Sequence, residues 1–260
     1  MTLSFVDSHA HLSMKEFNED RNHVIQRAFQ EGISTILCPA EITDPKNLQI
    51  TLDLTEKYEN ILAAAGVHPH QAKAYNLNSV EKMEELAEAK KIKAIGEIGL
   101  DFYYNFSPQQ DQTEAFRYQL NVAQKMSLPI IVHSRKAGEE IARAVEEEHF
   151  TQGGILHCFT GDLEFAKRMM NQNFFISFSG ILTFPKAFLL RDVAKKIPLE
   201  KLLIETDSPY LVPASFRGRI KRNEPIYVKE VAKILAELKN IALEELALIT
   251  SKNFEYLFMV

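Results

Sequence analysis

The sequence predicts an α/β protein, a single (β/α)8 TIM barrel with a C-terminal helical extension. Eight short apolar runs alternate with charged amphipathic stretches, the pattern of parallel strands joined by crossover helices. The chain has 260 residues, and one barrel of about 250 residues uses that length without spare chain. Polar residues capable of chemistry gather at the C-terminal ends of the runs, which in a barrel is the catalytic face. An open doubly wound sheet is the main rival, and the count of eight favours the barrel. One domain over residues 1–260 is expected, with no linker or low-complexity segment.

The runs, in order, are LSFVDSH (3–9), STILCPA (34–40), ILAAAGV (61–67), KAIGEIG (93–99), PIIVH (129–133), GGILHCF (153–159), FFISFSG (174–180) and KLLIETD (201–207). Each is short and mostly apolar, as a strand covered on both faces must be. Segments such as EFNEDRNHVIQRAFQEG (16–32) and DQTEAFRYQLNVAQKMS (111–127) carry apolar residues at helical spacing, with acidic residues early, so they read as helices. After the last run, YVKEVAKILAELKN (227–240) supplies the eighth helix and LEELALITSKNFEYLF (243–258) a C-terminal cap.

Composition excludes several classes of function. With 46% hydrophobic and 25% charged residues, the chain has an ordinary globular make-up. A net charge of -5 argues against a broad basic face that coats nucleic acid, while leaving room for a small basic patch in a cleft. Cys38 and Cys158 are the two cysteines, both in apolar runs and without C-x-x-C spacing. That points to a reducing compartment. The N-terminus lacks a basic n-region with a long apolar h-region, and no apolar run approaches about 18 residues. The expected location is the cytoplasm.

Run one ends in Asp7-Ser8-His9-Ala10-His11. On a strand, residues two apart share a face, so His9 and His11 can reach one metal together. A lone H-x-H is a weak signal; here it follows a buried run. Glu97 lies between Gly96 and Gly99, which suit close backbone approach, and its two oxygens can span cations roughly 3.5–4 Å apart. His133 and His157 each end an apolar run. Alone, each would more commonly be a rim or core histidine without a ligand role. Two at matching positions, with H-x-H and Glu97, shift the balance to a metal site of imidazole and carboxylate donors. Glu205 and Asp207, two apart at the end of run eight, are expected to share a strand face; Asp207 is the better candidate for a metal contact that also takes a proton from attacking water, with Glu205 as the alternative and otherwise a supporting residue. Asp7 is placed to accept the spare N–H of a ligand histidine, and Asp101 to orient its neighbours or substrate. His68 is a candidate for contacting substrate or stabilising charge, whereas His70 reads as surface. Cys158 reads as a small buried hydrophobe. Arg135 and Arg222, the latter in a basic loop with Arg217, Arg219 and Lys221, are candidates for phosphate. For that loop a solvated turn is equally common. Phe102, Tyr103, Tyr104, Phe106 and Phe159 offer stacking surfaces, although aromatic residues in such numbers are more often core.

Several segments, FVDSHAHL (5–12), GVHPH (66–70), AIGEIGLDFYY (94–104), PIIVHSRKA (129–137), GILHCFTGD (154–162), FFISFSGILTF (174–184), LLIETDSPYLVP (202–213) and RNEP (222–225), together resemble the TatD-type metal-dependent deoxyribonucleases of the amidohydrolase superfamily. The resemblance implies one metal on His9, His11 and Asp207, a second on His133 and His157, and Glu97 bridging them. It implies two divalent ions, Mg2+ or Mn2+, with Zn2+ or Ni2+ as alternatives. It further implies hydrolysis of DNA phosphodiesters, often from the 3′ end as a 3′-5′ exonuclease. Other superfamily members bridge their metals with a modified Lys, where this sequence has Glu97, as TatD-type proteins do. No ligand position departs from the pattern. Two rival readings stand beside it: a superfamily hydrolase of a small-molecule amide or ester, and a non-catalytic binding scaffold, against which the intact ligand set argues.

Overall fold

A computed structural model describes residues 3–259. Its strands are β1 (Phe5–Asp7), β2 (Ile33–Glu41), β3 (Ile61–Gly66), β4 (Ala94–Asp101), β5 (Ile130–Arg135), β6 (Gly154–Leu156), β7 (Phe174–Phe178) and β8 (Leu202–Ile204). They stand in one sheet in sequence order. The helices are α1 (Arg21–Gln30), α2 (Pro45–Lys57), α3 (Leu77–Glu88), α4 (Gln109–Met126), α5 (Gly138–Glu147), α6 (Leu163–Met170), α7 (Phe188–Lys196), α8 (Val228–Lys239) and α9 (Leu243–Phe258). Parallel strands with helical crossovers in strict alternation are the (β/α)8 barrel fold. Local chemistry starts and stops these helices. Asp44, Asn76 and Asp162 cap α2, α3 and α6 by accepting from backbone N–H groups of the first turn. Ser127 and Asn240 take left-handed conformations that end α4 and α8. No helix among the described residues is long and apolar enough to cross a membrane.

The chain divides into two compact units, one of Met1–Cys38, His157–Phe159 and Ile176–Val260, the other of Pro39–Leu156 and Thr160–Phe175. In the first, β1 runs parallel to β2, Phe5 opposite Ile33 and Asp7 opposite Ile36, and β7 runs parallel to β8. The Ser8 N–H donates to the Ile204 carbonyl at 3.1 Å and the Asp207 N–H to the His9 carbonyl at 2.9 Å. The segments that leave β1 and β8 therefore run side by side. Both α8 and α9 pack on β1 and β8. The last helix thus shares the outer layer instead of only capping it, and its Asn253 amide donates to the carbonyls of Leu199 and Leu202, both at 2.8 Å.

In the second unit, β3 to β6 pair in parallel. Ile95 faces Ile130 but Ile98 faces Val132. One extra β4 residue is accommodated at Gly96–Glu97, a bulge that re-aims a side chain. Gly99 has φ +135°, and a Cβ there would lie 2.1 Å from the His133 carbonyl oxygen, so only glycine lets β4 approach β5 this closely.

Two buried glutamines of α4 tie down the strand ends. Gln119 accepts from the Val67 N–H at 2.7 Å and donates to its carbonyl at 3.2 Å. Gln112 accepts from the Asp101 N–H at 2.8 Å and donates to the carbonyls of Asp101 and Ser107 at 3.1 and 2.9 Å. Each side chain satisfies backbone groups that have left the ladder. Gln112→Ala strips partners from a buried backbone donor and buried acceptors, and we expect a loss of about 2 kcal/mol, read as a lowered urea midpoint at unchanged m-value.

Candidate metal centre

In the first unit, nitrogen and oxygen atoms of His9, His11 and Asp207 lie within 4.8 Å of one another. The Nε2 atoms of His9 and His11 are 3.2 Å apart, and His11 Nε2 is also 3.2 Å from Asp207 Oδ1. The His157 ring stacks on His9 with centroids 3.9 Å apart. His157 Nδ1 lies 3.1 Å from Glu205 Oε1, which also accepts from the Cys158 N–H at 2.8 Å. That partner fixes the ring proton on Nδ1 and leaves the lone pair on Nε2, the tautomer a metal ligand needs. Glu205 Oε2 is buried without a hydrogen-bond partner among the described residues, an oxygen that a nearby positive charge would satisfy.

In the second unit, His68, Glu97 and His133 form one group and His70, Asp101 and His133 another. Glu97 Oε1 is 3.0 Å from His133 Nδ1 and 3.3 Å from His68 Nε2. Asp101 Oδ2 is 2.9 Å from His70 Nε2 and 3.1 Å from His133 Nε2, while Oδ1 accepts from the N–H groups of Tyr103 and Tyr104. The His70 N–H donates to His68 Nδ1 at 3.1 Å, so His68 carries its proton on Nε2, toward Glu97.

Burial sets the electrostatics. It lowers the His68 pKa to about 4 against the pull of Glu97, which makes this imidazole neutral at pH 7. Burial pushes Asp101 up, but hydrogen bonds from His133, the Tyr104 N–H and His70 outweigh it and hold the carboxyl well below the usual range. Burial likewise opposes ionisation of Asp207, and the His11 hydrogen bond together with the charges of His11, His157 and His9 reverses it. Asp7, wholly buried, is pushed well up by burial despite its hydrogen bonds to Thr206.

Both clusters fit a divalent cation by their donor chemistry. His9 Nε2, His11 Nε2 and an Asp207 oxygen converge with at most one proton per nitrogen. Both nitrogens of His133 face carboxylates. Imidazole nitrogens and carboxylate oxygens converging in this way are the donor set that a borderline or hard divalent cation takes.

Several sequence expectations change. Asp7 does not serve an imidazole. It accepts from the Thr206 N–H at 2.8 Å, the Thr206 hydroxyl at 2.6 Å and the His9 backbone N–H, because the segment after β8 passes directly alongside it. Strand β8 ends at Ile204, and Asp207 has φ 55°. Glu205 and Asp207 therefore do not share a strand face: one turns to His157, the other to His11. His70 is part of the Asp101 group and not simple surface; its H-x-H spacing with His68 was the overlooked signal. Arg222 is committed elsewhere. Its guanidinium pairs with Asp20 at 2.5 Å and Glu224 at 3.2 Å and lies 4.6 Å from the centre of the Phe17 ring, so acidic neighbours already neutralise it. Arg217 lies over Phe184 at 3.7 Å. Arg135 rests above Tyr103 and Tyr104 at 4.7 and 5.0 Å. The sequence reading missed Glu41, whose carboxylate accepts from the His68 N–H at 2.9 Å and from Thr43. It also missed Asn223, which is buried and donates to the Thr206 carbonyl at 2.9 Å.

A (β/α)8 barrel with histidine and carboxylate clusters at the C-terminal ends of its strands belongs to the class of metal-dependent hydrolases. The profile of the family described as TatD related DNase matches residues 6–259, and the chain belongs to that family. The metal-dependent hydrolase YabD of Bacillus subtilis is 42% identical over 255 residues, 98% of either chain. The Salmonella typhimurium protein named 3'-5' ssDNA/RNA exonuclease TatD is 34% identical over 258 residues, again 98% of either chain. The crystal structure of the TatD homolog YJJV from Escherichia coli superposes with a TM-score of 0.92 at 32% identity, covering all of both chains. Organophosphorus hydrolase from Deinococcus radiodurans, at 14% identity and a TM-score of 0.67, shares the fold.

Burial raises the Glu41 pKa above its ordinary value of 4.5. A carboxyl that holds its proton more tightly when folded contributes stability that is full below pH 4.5 and is lost as pH rises through the folded value. Glu41→Gln also changes an acceptor, but that offset is independent of pH. We therefore expect the variant's unfolding free energy to fall less steeply between pH 4.5 and neutrality, measured by urea titration across that range.

Proposed function

We propose that this chain is a divalent-metal-dependent phosphodiesterase that removes nucleotides from the 3′ ends of DNA in the cytoplasm, its two units acting as one barrel domain. The observation that carries this reading is the pair of imidazole and carboxylate clusters at the strand ends, in a chain of the TatD related DNase family. The name of the Salmonella relative, a 3'-5' ssDNA/RNA exonuclease, supports the polarity. In this reading His9, His11 and Asp207 would hold one cation and His133 and His157 the second, with Glu97 as the ligand they would share. Mg2+ or Mn2+ is the preferred pair.

When bound, the metal pair supplies Lewis-acid charge that polarises the phosphodiester and acidifies water. Asp207 is the proton acceptor. Its His11 and other imidazole neighbours keep it ionised, so it is ready to take a proton from water at neutral pH. His68, neutral and protonated on Nε2, donates to a phosphate oxygen without adding a charge. Glu205 holds His157 in its tautomer, and Asp101 does the same for His133 and His70. Arg135 faces solvent and neutralises the phosphate backbone. Arg222 has no part in substrate binding. Asp7 acts through Thr206 by locking the segment that carries Asp207.

End-labelled single-stranded DNA tests this directly. With Mg2+ or Mn2+ we expect stepwise loss of nucleotides from the 3′ end, abolished by EDTA and reduced by about two to three orders of magnitude in Glu97→Ala. A metal-loaded protein that leaves DNA and RNA intact but hydrolyses amides or lactones returns the site to small-molecule chemistry. Elemental analysis provides a second check: two equivalents of Mn2+ per chain in the native protein, and fewer in His133→Ala.

A further inference from the structure

The turn after β4 leaves three aromatic rings in water. Tyr103 is 56% exposed, Tyr104 49% and Phe106 59%. Tyr104 and Phe106 lie parallel to within 5°, centroids 5.5 Å apart, and Tyr103 meets Tyr104 edge-on at 4.9 Å. Contiguous exposed aromatic surface of this kind marks a binding surface more often than scattered apolar residues do.

The rings are held in place. Asp101 accepts from the N–H groups of Tyr103 and Tyr104, and Gln112 fixes the backbone of Asp101 and Ser107 at either end of the turn. A platform ordered before binding loses less entropy when it is occupied. It also stands beside the chemistry. The His70 ring meets Phe106 edge-on at 4.7 Å and Tyr104 at 5.9 Å, and His70 shares Asp101 with His133. The Arg135 guanidinium lies over the Tyr103 and Tyr104 rings, 4.7 and 5.0 Å from their centres, and adds a positive charge to the π-surface. A flat apolar face needs a flat partner, and the cation favours a polyanion. An unpaired nucleobase on a phosphodiester chain meets both demands, whereas a base within a duplex has its faces covered by its neighbours.

We infer that Tyr104 and Phe106, with Arg135 lying over Tyr104, form a stacking subsite for an unpaired nucleobase and so select single-stranded ends over duplex. This rests on the phosphodiesterase reading for its biological sense. The subsite itself is sequence-tolerant, because every base offers a π-face.

The test is binding of a fluorescent oligothymidylate with phosphorothioate linkages to the metal-loaded protein, followed by anisotropy. We expect the Tyr104→Ala, Phe106→Ala double variant to weaken binding about tenfold and Tyr104→Phe to retain it. An abasic oligonucleotide of equal length should bind the native protein about as weakly as the double variant binds oligothymidylate. Circular dichroism checks that the variants fold, and Phe106→Ala alone serves if the double variant does not. Equal affinity for the abasic strand, or full affinity in the double variant, overturns the subsite. So does a dimer in sedimentation that the double variant abolishes while oligonucleotide affinity stays the same, or preferential capture of a proline-rich peptide. DNA cleavage with undiminished affinity in the double variant sinks the subsite alone. Base-dependent binding without any phosphodiester cleavage sinks the hydrolase reading and leaves the subsite standing.

Discussion

The convergence of imidazole nitrogens and carboxylate oxygens at the strand ends is the constraint on which the rest of this structure turns. His11 Nε2 meets both His9 and Asp207 at 3.2 Å, and His133 has a carboxylate at each ring nitrogen. In water such groups would separate. Here the ends of parallel strands fix them, and the packing of the strands meets the cost of holding them together. A divalent cation brought among these atoms would find its donors already oriented.

The supporting contacts follow the same logic. Backbone leaving a sheet loses its ladder partners, and these are the stretches that carry the polar side chains. Side chains stand in for the ladder: Gln119 at Val67, Gln112 at Asp101, Asn223 at Thr206 and Asp7 at Thr206. Each is buried, so each bond is made where water cannot substitute for it. The loops that bear the site are thereby as well specified as the strands that precede them.

All eight strands and the two closing helices were legible in the sequence, because apolar runs and helical spacing are local properties of the chain. The H-x-H pair, Glu97, His133 and His157 stood out as candidate ligands for the same reason: each lies at or near the end of a run. What was not legible depends on partners far along the chain. Asp7 was assigned to an imidazole because it shares strand parity with His9, whereas its side-chain partner, the Thr206 hydroxyl, is 199 residues away. The divergence of Glu205 and Asp207 hides in a left-handed residue that alternation rules do not anticipate. The extra residue of β4 is visible only once its pairing with β5 is known. Arg222 read as available cation because Asp20, its neutralising partner, is equally remote.

The two glutamines of α4 also bear on how the gene can change length. Positions 112 and 119 are separated by seven residues, nearly two full turns of helix, which is why both amides emerge from one face. Inserting or deleting a single codon between them would swing one amide about 100° around the axis and strand the backbone it serves. Indels in descendants of this sequence should therefore accumulate in the connecting loops and spare the interior of that helix.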